Sequence, residues 1–276
     1  MGVVLAAVAA FGYGTGDFLG GVATRRIPAA STLFWSHLVG LALLAVWIPL
    51  DPGEPIVSDM IAGAGAGLFG LAGLVFLYTG LARGRAAVVA PAAAVVGAIV
   101  PVIAGVAGGD PLGALGWAGV AAALPAIYLV STIEGTPRRA AGLGYGLMAG
   151  LFFGGYFTVL AQASDASGMW PLVASRGLSV TVLVVAGLAA RRSWLTAPGG
   201  RVGGAVVGVG VLDLIGNVAY LLAANLASLV VVAMVASLYP AVTVLMTRLV
   251  YSERLSPHQL SGLGLAVLAV ACFSAV

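Results

Sequence analysis

The sequence of 276 residues contains little charge and no lysine. Asp, Glu and Arg together make up 8% of it, whereas a soluble domain carries roughly 25% charged residues. A soluble fold of this length cannot cover its surface with so few charges, because 61% of the residues are hydrophobic and the mean hydropathy is +1.13. We therefore expect an integral membrane protein, located in the plasma membrane.

Cysteine and histidine are also scarce. A single cysteine, Cys272, excludes an internal disulfide framework and a cysteine-based metal site. The two histidines, His37 and His258, lie in no HExxH motif, and the sequence contains neither a Walker A motif nor a nucleophile–base arrangement. The sequence therefore predicts no enzyme, no metal and no cofactor. The net charge of +3 relates to membrane orientation and not to a nucleic-acid partner.

Ten continuously apolar segments predict an all-α membrane protein with ten transmembrane helices. They lack the alternation that a membrane β-barrel requires. The first segment has no basic region before it and continues past residue 20, so we interpret it as a span and not a signal peptide. The predicted spans are 2–23, 31–50, 60–81, 86–107, 114–132, 142–163, 169–190, 203–223, 228–249 and 259–275.

The charges divide between the two sides of the predicted membrane. Eleven arginines lie in or next to the odd-numbered loops, whose side we call the arginine-rich side: Arg25, Arg26, Arg83, Arg85, Arg138, Arg139, Arg191, Arg192, Arg201, Arg248 and Arg254. The even-numbered loops, on what we call the acidic side, contain Asp51, Glu54, Asp59, Asp110 and Asp165. Basic loops remain in the cytoplasm, so both termini are predicted to be non-cytoplasmic.

The second half of the sequence repeats the first. FGYG at 11–14 meets FGGY at 153–156 at an offset of 142, and the acidic turn at Asp110 meets the one at Glu253. Each half, 1–136 and 137–276, contains five spans, so the halves cross the membrane in opposite directions. An inverted 5+5 repeat of this kind is a recurring architecture of secondary transporters.

The end of the chain, SLYPAVTVLMTRLVYSERLSPHQLSG, resembles an EamA domain of the drug/metabolite transporter superfamily, as do YGTGDFLGG and VVAP in the first half. The resemblance implies two tandem EamA repeats, with ten helices around a central cavity. It also implies a protein that moves small organic metabolites without ATP hydrolysis. It also favours export. Members of this family are usually drawn with cytoplasmic termini, the reverse of what the arginines indicate here.

Polar residues inside the hydrocarbon mark candidate binding or coupling sites. Asp213, Asn217 and Tyr220 share one face of the eighth span, and Asp213 lies about ten residues into it. Arg176 reaches a similar depth from the other side, so we expect it near Asp213 as part of a substrate or proton site. A purely structural pair, or an Arg176 that extends outward to the headgroups, is the alternative.

Asp17 and His37 form a second candidate pair at matching depth, and His37 occupies the repeat position of Arg176. A proton relay and a plain helix–helix hydrogen bond are both compatible with this pair. Further candidates for lining the site are Tyr13, Tyr78, Tyr156 and Gln162. Packing or a position in the interfacial belt is the alternative for each tyrosine.

Prolines inside predicted helices indicate kinks at Pro91, Pro101 and Pro240. Such kinks act either as gates or as static bends that widen a cavity.

These features together predict a secondary transporter that works by alternating access. The mixed polar residues suit a small organic metabolite such as an amino acid or a nucleoside, with proton-linked and facilitated mechanisms both open. A channel and a non-transporting scaffold or sensor are the alternatives. The predicted partners are the lipid bilayer and the solute, together with protons in a proton-linked mechanism. Both a monomer and a homodimer are compatible with the sequence.

Overall fold

The computed structural model describes residues 1–50, 52–83, 86–110, 112–131, 142–189, 195–251 and 255–275, without the side chains of residues 78, 81, 82, 86 and 87. Within these ranges the chain is all-helical. The α-helices are α1 (Gly2–Thr24), α2 (Ala29–Trp47), α3 (Val57–Arg83), α4 (Ala86–Ala107), α5 (Ala114–Ser131), α6 (Leu143–Leu160), α7 (Trp170–Ala189), α8 (Gly200–Ala224), α9 (Leu229–Ala236), α10 (Tyr239–Tyr251) and α11 (Pro257–Ser274). A short 3-10 helix covers Asp165–Ser167.

The α-helices of the described ranges form ten membrane spans. Each α-helix is one span, except that α9 and α10 together form the ninth. This number and the all-helical class confirm the prediction from the sequence. The acidic turn at Glu253 and the predicted boundary between residues 136 and 137 lie outside the described residues.

The ninth span is divided, although the sequence analysis treated it as one helix over 228–249. α9 ends at Ala236, and α10 begins at Tyr239, one residue before Pro240. Proline has no amide hydrogen to donate, and its ring would collide with the carbonyl of Ala236 in a continuous helix. The chain therefore forms a tighter turn before Pro240, in which the Leu238 amide donates to the carbonyl three residues earlier, that of Val235, over 3.1 Å.

The two halves pack around a pseudo-two-fold axis. α1 lies along α8 and α6 along α3, while α2 contacts α7 and α5 contacts α11. Each of these contacts maps onto another, or onto itself, when the halves are exchanged. The match extends to single residues: a side chain at Gly67 would collide with the Ser175 carbonyl, and one at Gly210 would collide with the Ser36 carbonyl.

α7 lies so close to α3 that a Cβ at Gly63 would collide with the Pro171 carbonyl. At Gly65, on another face of α3, an added Cβ meets only the end of the Val159 side chain, at 3.9 Å. Small residues at spacings of four allow this close approach of helices in a membrane.

The interior is packed towards the acidic side and open towards the arginine-rich side. One face of α1 shows this, because its residues follow at spacings of three and four: Ala6, Ala10, Tyr13, Asp17 and Gly21. Ala6 is 0% and Ala10 5% exposed, whereas Asp17 and Gly21 are exposed. A Cβ added at Gly21 would have no neighbour within 4 Å. Solvent therefore reaches the bundle interior from the arginine-rich side.

Candidate functional site

An ion pair lies near the middle of the bundle. The Arg176 Nη2 on α7 donates to the Asp213 Oδ2 on α8 over 2.7 Å, and the side chains are 4% and 36% exposed. The guanidinium packs against α2 at Gly40, where a Cβ would lie 2.8 Å from the Arg176 Cζ. The absence of a side chain at Gly40 is therefore what makes room for the buried arginine.

Asn217 connects this ion pair to both halves of the protein. One turn beyond Asp213, its Nδ2 donates to the Asp213 Oδ2 over 3.1 Å and to the Asp213 carbonyl over 2.8 Å. Its Oδ1 accepts from the Tyr13 hydroxyl over 2.9 Å and from the Tyr156 hydroxyl. Tyr13 lies on α1 and Tyr156 on α6, the first helices of the two halves, so one amide joins the repeats.

Aromatic rings form the acidic-side floor of this cluster. The Phe157 ring centroid lies 5.8 Å from that of Tyr13, 5.5 Å from that of Tyr156 and 4.9 Å from that of Tyr220. Tyr220 is fully buried, and its hydroxyl donates to the Phe157 carbonyl over 2.9 Å. Tyr220 thus belongs to the packed floor, whereas Tyr13 and Tyr156 direct their hydroxyls at the polar cluster.

Asp17 and His37 do not form the expected pair, since no hydrogen bond or ion pair between them occurs among the described residues. The Nδ1 of His37 is buried without a hydrogen-bond partner, one helical turn before Gly40, and thus on the α2 face that receives Arg176. Asp17 instead lies in the opening towards the arginine-rich side, one residue after Gly16, which packs against the Asp213 backbone.

Other candidates lie apart from the cluster. Gln162 is exposed in the turn after α6, because that helix ends at Leu160 and not at the predicted residue 163. Tyr78 lies in α3, but its side chain falls outside the described residues. Pro91 and Pro101 lie inside an uninterrupted α4.

Two parts of the site were not singled out from the sequence. Phe157, which contacts three tyrosines, was indistinguishable from the other apolar residues of its span. Gly40 had one usable signal, since it follows His37 by three residues and therefore shares its helix face.

The arrangement places one positive and one negative side chain beside several neutral hydrogen-bonding groups. Arg176 Nε and Nη1 are buried without hydrogen-bond partners, so the guanidinium has donors beyond those that Asp213 satisfies. Asp213 is partly exposed and can accept from a solute cation. The two tyrosine hydroxyls and the Asn217 amide add neutral hydrogen-bonding groups beside them.

Comparison with known proteins gives a family and a fold. The model of the EamA-like transporter family matches residues 1–132 and again residues 140–275. A crystal structure of a protein without further description is similar over 98% of this chain and 95% of its own, with a TM-score of 0.77 and 15% sequence identity. A search of curated proteins finds no match.

Proposed function

Because the chain belongs to the EamA-like transporter family, and is thus a transporter of small molecules, we propose that it is a secondary transporter that carries a polar organic solute by alternating access. The observation on which this rests is the polar cluster of Tyr13, Tyr156, Arg176, Asp213 and Asn217. The cluster draws side chains from both halves, and inverted-repeat transporters bind their solutes at such a repeat interface.

The ion pair supports a zwitterionic solute, such as an amino acid. A carboxylate on the solute would pair with Arg176 once the guanidinium turns away from Gly40, against which its spare donors Nε and Nη1 are packed. An ammonium group would take the exposed side of Asp213. The main cost of opening a buried ion pair is the unpaired charge that remains. This exchange avoids that cost, because each charge gains a new partner on the solute. A nucleoside would instead use Tyr13 and Tyr156, through hydrogen bonds to their hydroxyl oxygens and contacts with their rings.

Export is the direction we propose, because the family resemblance favours it and the orientation is compatible with it. We place the arginine-rich side in the cytoplasm and both termini outside the plasma membrane, according to the distribution of arginines. The opening beside Asp17 then faces the cytoplasm, where a solute for export would enter. In a proton-linked mechanism, Asp17 and Asp213 are the carboxylates that would bind and release the proton, and Asp17 lies nearer to the cytoplasmic opening.

A binding screen with matched variants tests this proposal. The purified protein is heated with single amino acids and nucleosides, and its unfolding temperature is recorded together with those of Asn217→Ala and Asn225→Ala. Asn225 is the exposed residue that follows α8, and it lies outside the cluster. We expect at least one compound to stabilise the wild type and the Asn225 variant but not the Asn217 variant. Equal stabilisation of all three proteins, or of none, would contradict the proposed site.

A further inference from the structure

A buried carboxylate joins the two halves at the acidic side. Asp59 lies in the first turn of α3 and is 8% exposed. Its Oδ2 accepts from the Ser164 amide over 2.9 Å, from the Ser164 hydroxyl over 2.6 Å and from the Ser167 hydroxyl over 2.7 Å. Hydrogen bonds to an ionised carboxylate are about twice as strong as neutral ones. Asp59 belongs to the first half of the chain and both serines to the second.

The surrounding backbones close the same gap. The Glu54 amide donates to the Ala166 carbonyl over 2.7 Å, and the Trp170 Nε1 donates to the Pro52 carbonyl over 2.8 Å. Gly53, with a φ of 55°, approaches this loop so closely that a Cβ would lie 2.9 Å from the Ser167 carbonyl. These contacts form one closure above the packed acidic half of the interior.

Among the described residues, the repeat-related contact on the arginine-rich side is made by neutral groups. There the loop before α8 contacts the start of α2: the Thr196 amide donates to the Ser31 hydroxyl over 3.1 Å, and the Trp35 Nε1 donates to the Thr196 carbonyl over 3.1 Å. These two bonds are between neutral groups. The closure around Asp59 thus lies on the acidic side, where the interior is packed. The contact of Thr196 with Ser31 and Trp35 lies on the arginine-rich side, where the interior is open.

We infer that Asp59 holds the acidic side closed, and that its bonds to Ser164 and Ser167 break each time the central site opens to that side. This inference rests on the proposed alternating access. Loss of the carboxylate should shift the protein towards the state that is open to the acidic side. In that state the arginine-rich side should be closed, because the two openings alternate.

Cysteine labelling on both halves of one helix face tests the inference. Cys272 is first replaced by serine, and a single cysteine is introduced either at Ala6, in the packed acidic half, or at Gly21, in the opening. The rate of maleimide labelling is then measured in protein with intact Asp59 and in Asp59→Asn. Asp165→Asn is the matched control, because this exposed carboxylate lies between the two serines.

We expect Asp59→Asn to label the cysteine at position 6 about tenfold faster, a change of ~1.4 kcal/mol in the equilibrium, and to label the cysteine at position 21 more slowly. The Asp165 variant should behave as the parent does. Faster labelling at both positions would mean general loosening of the fold and would overturn the inference, as would unchanged rates at both.

Two further measurements keep the result interpretable. If Asp59→Asn does not fold, the double variant Ser164→Ala/Ser167→Ala removes the two hydroxyl donors and should give the same opposed changes. The transporter proposal is tested separately by the uptake of a compound from the binding screen into vesicles that contain the Asp165 variant. This uptake should be saturable. A failure of the Asp59 inference with intact uptake therefore leaves the proposed function standing, whereas absent uptake refutes the function itself.

Discussion

Removal of one member of the central ion pair should have a different effect from removal of the other. Arg176 is 4% exposed, whereas the Asp213 side chain is 36% exposed and also accepts from Asn217. In Asp213→Ala, the guanidinium remains buried without a counter-charge. In Arg176→Met, which preserves most of the side-chain volume, the remaining carboxylate keeps its access to water and one hydrogen bond.

The different burial of the two groups determines the difference in stability. A buried charge that loses its partner costs about 3–5 kcal/mol, so Asp213→Ala should lower the unfolding temperature by on the order of 10 °C, at roughly 2–4 °C per kcal/mol. Arg176→Met should cost about 1 kcal/mol, or a few degrees, because the hydrogen bond from Asn217 to the carboxylate remains. The double variant has no unpaired charge and should be more stable than Asp213→Ala alone.

Thermal unfolding of the purified protein in detergent measures all three variants. Arg248, exposed near the end of α10, supplies the matched Arg→Met control and should have little effect. Equal losses in the two single variants, with an additive loss in the double variant, would refute the reasoning. Such a result would mean that Arg176 and Asp213 do not depend on each other.

Three further predictions follow from single positions. Gly63→Ala should lower the unfolding temperature, because overpacking costs about 1–3 kcal/mol, whereas Gly65→Ala should be tolerated; equal effects would contradict the packing of α3 on α7. Tyr220→Phe should cost about 1 kcal/mol in thermal unfolding and leave solute binding intact, and loss of binding would move Tyr220 from the floor into the site. If protons drive uptake, Asp17→Asn should abolish its pH dependence and Asp165→Asn should preserve it; retained dependence in the Asp17 variant would exclude that residue from coupling.

Depth in the membrane was the part of the site that could be predicted from the sequence. A helix rises about 1.5 Å per residue, so counting from the span ends placed Arg176 and Asp213 at similar depths. The structure brings them within 2.7 Å of each other. The ten spans could be predicted for a related reason, because a bilayer requires a nearly constant length of apolar helix.

Rotation of the helices about their axes could not be predicted in the same way. Asp17 and His37 also share a depth, yet His37 lies on the α2 face that receives Arg176, and Asp17 faces the open interior. Which faces meet depends on the packing of small residues in neighbouring helices, which one sequence does not reveal. Similarly, Asp59 was assigned to a loop by its charge, although hydrogen bonds from the other half bury it.

Counterflow in proteoliposomes tests the central claim most directly. Vesicles that contain the protein are loaded with an unlabelled solute, identified by the binding screen, and the uptake of the same solute in labelled form is followed. A carrier whose site faces one side at a time predicts saturable uptake that accelerates when the solute is present inside. Uptake that rises linearly with concentration and ignores the internal solute would contradict alternating access.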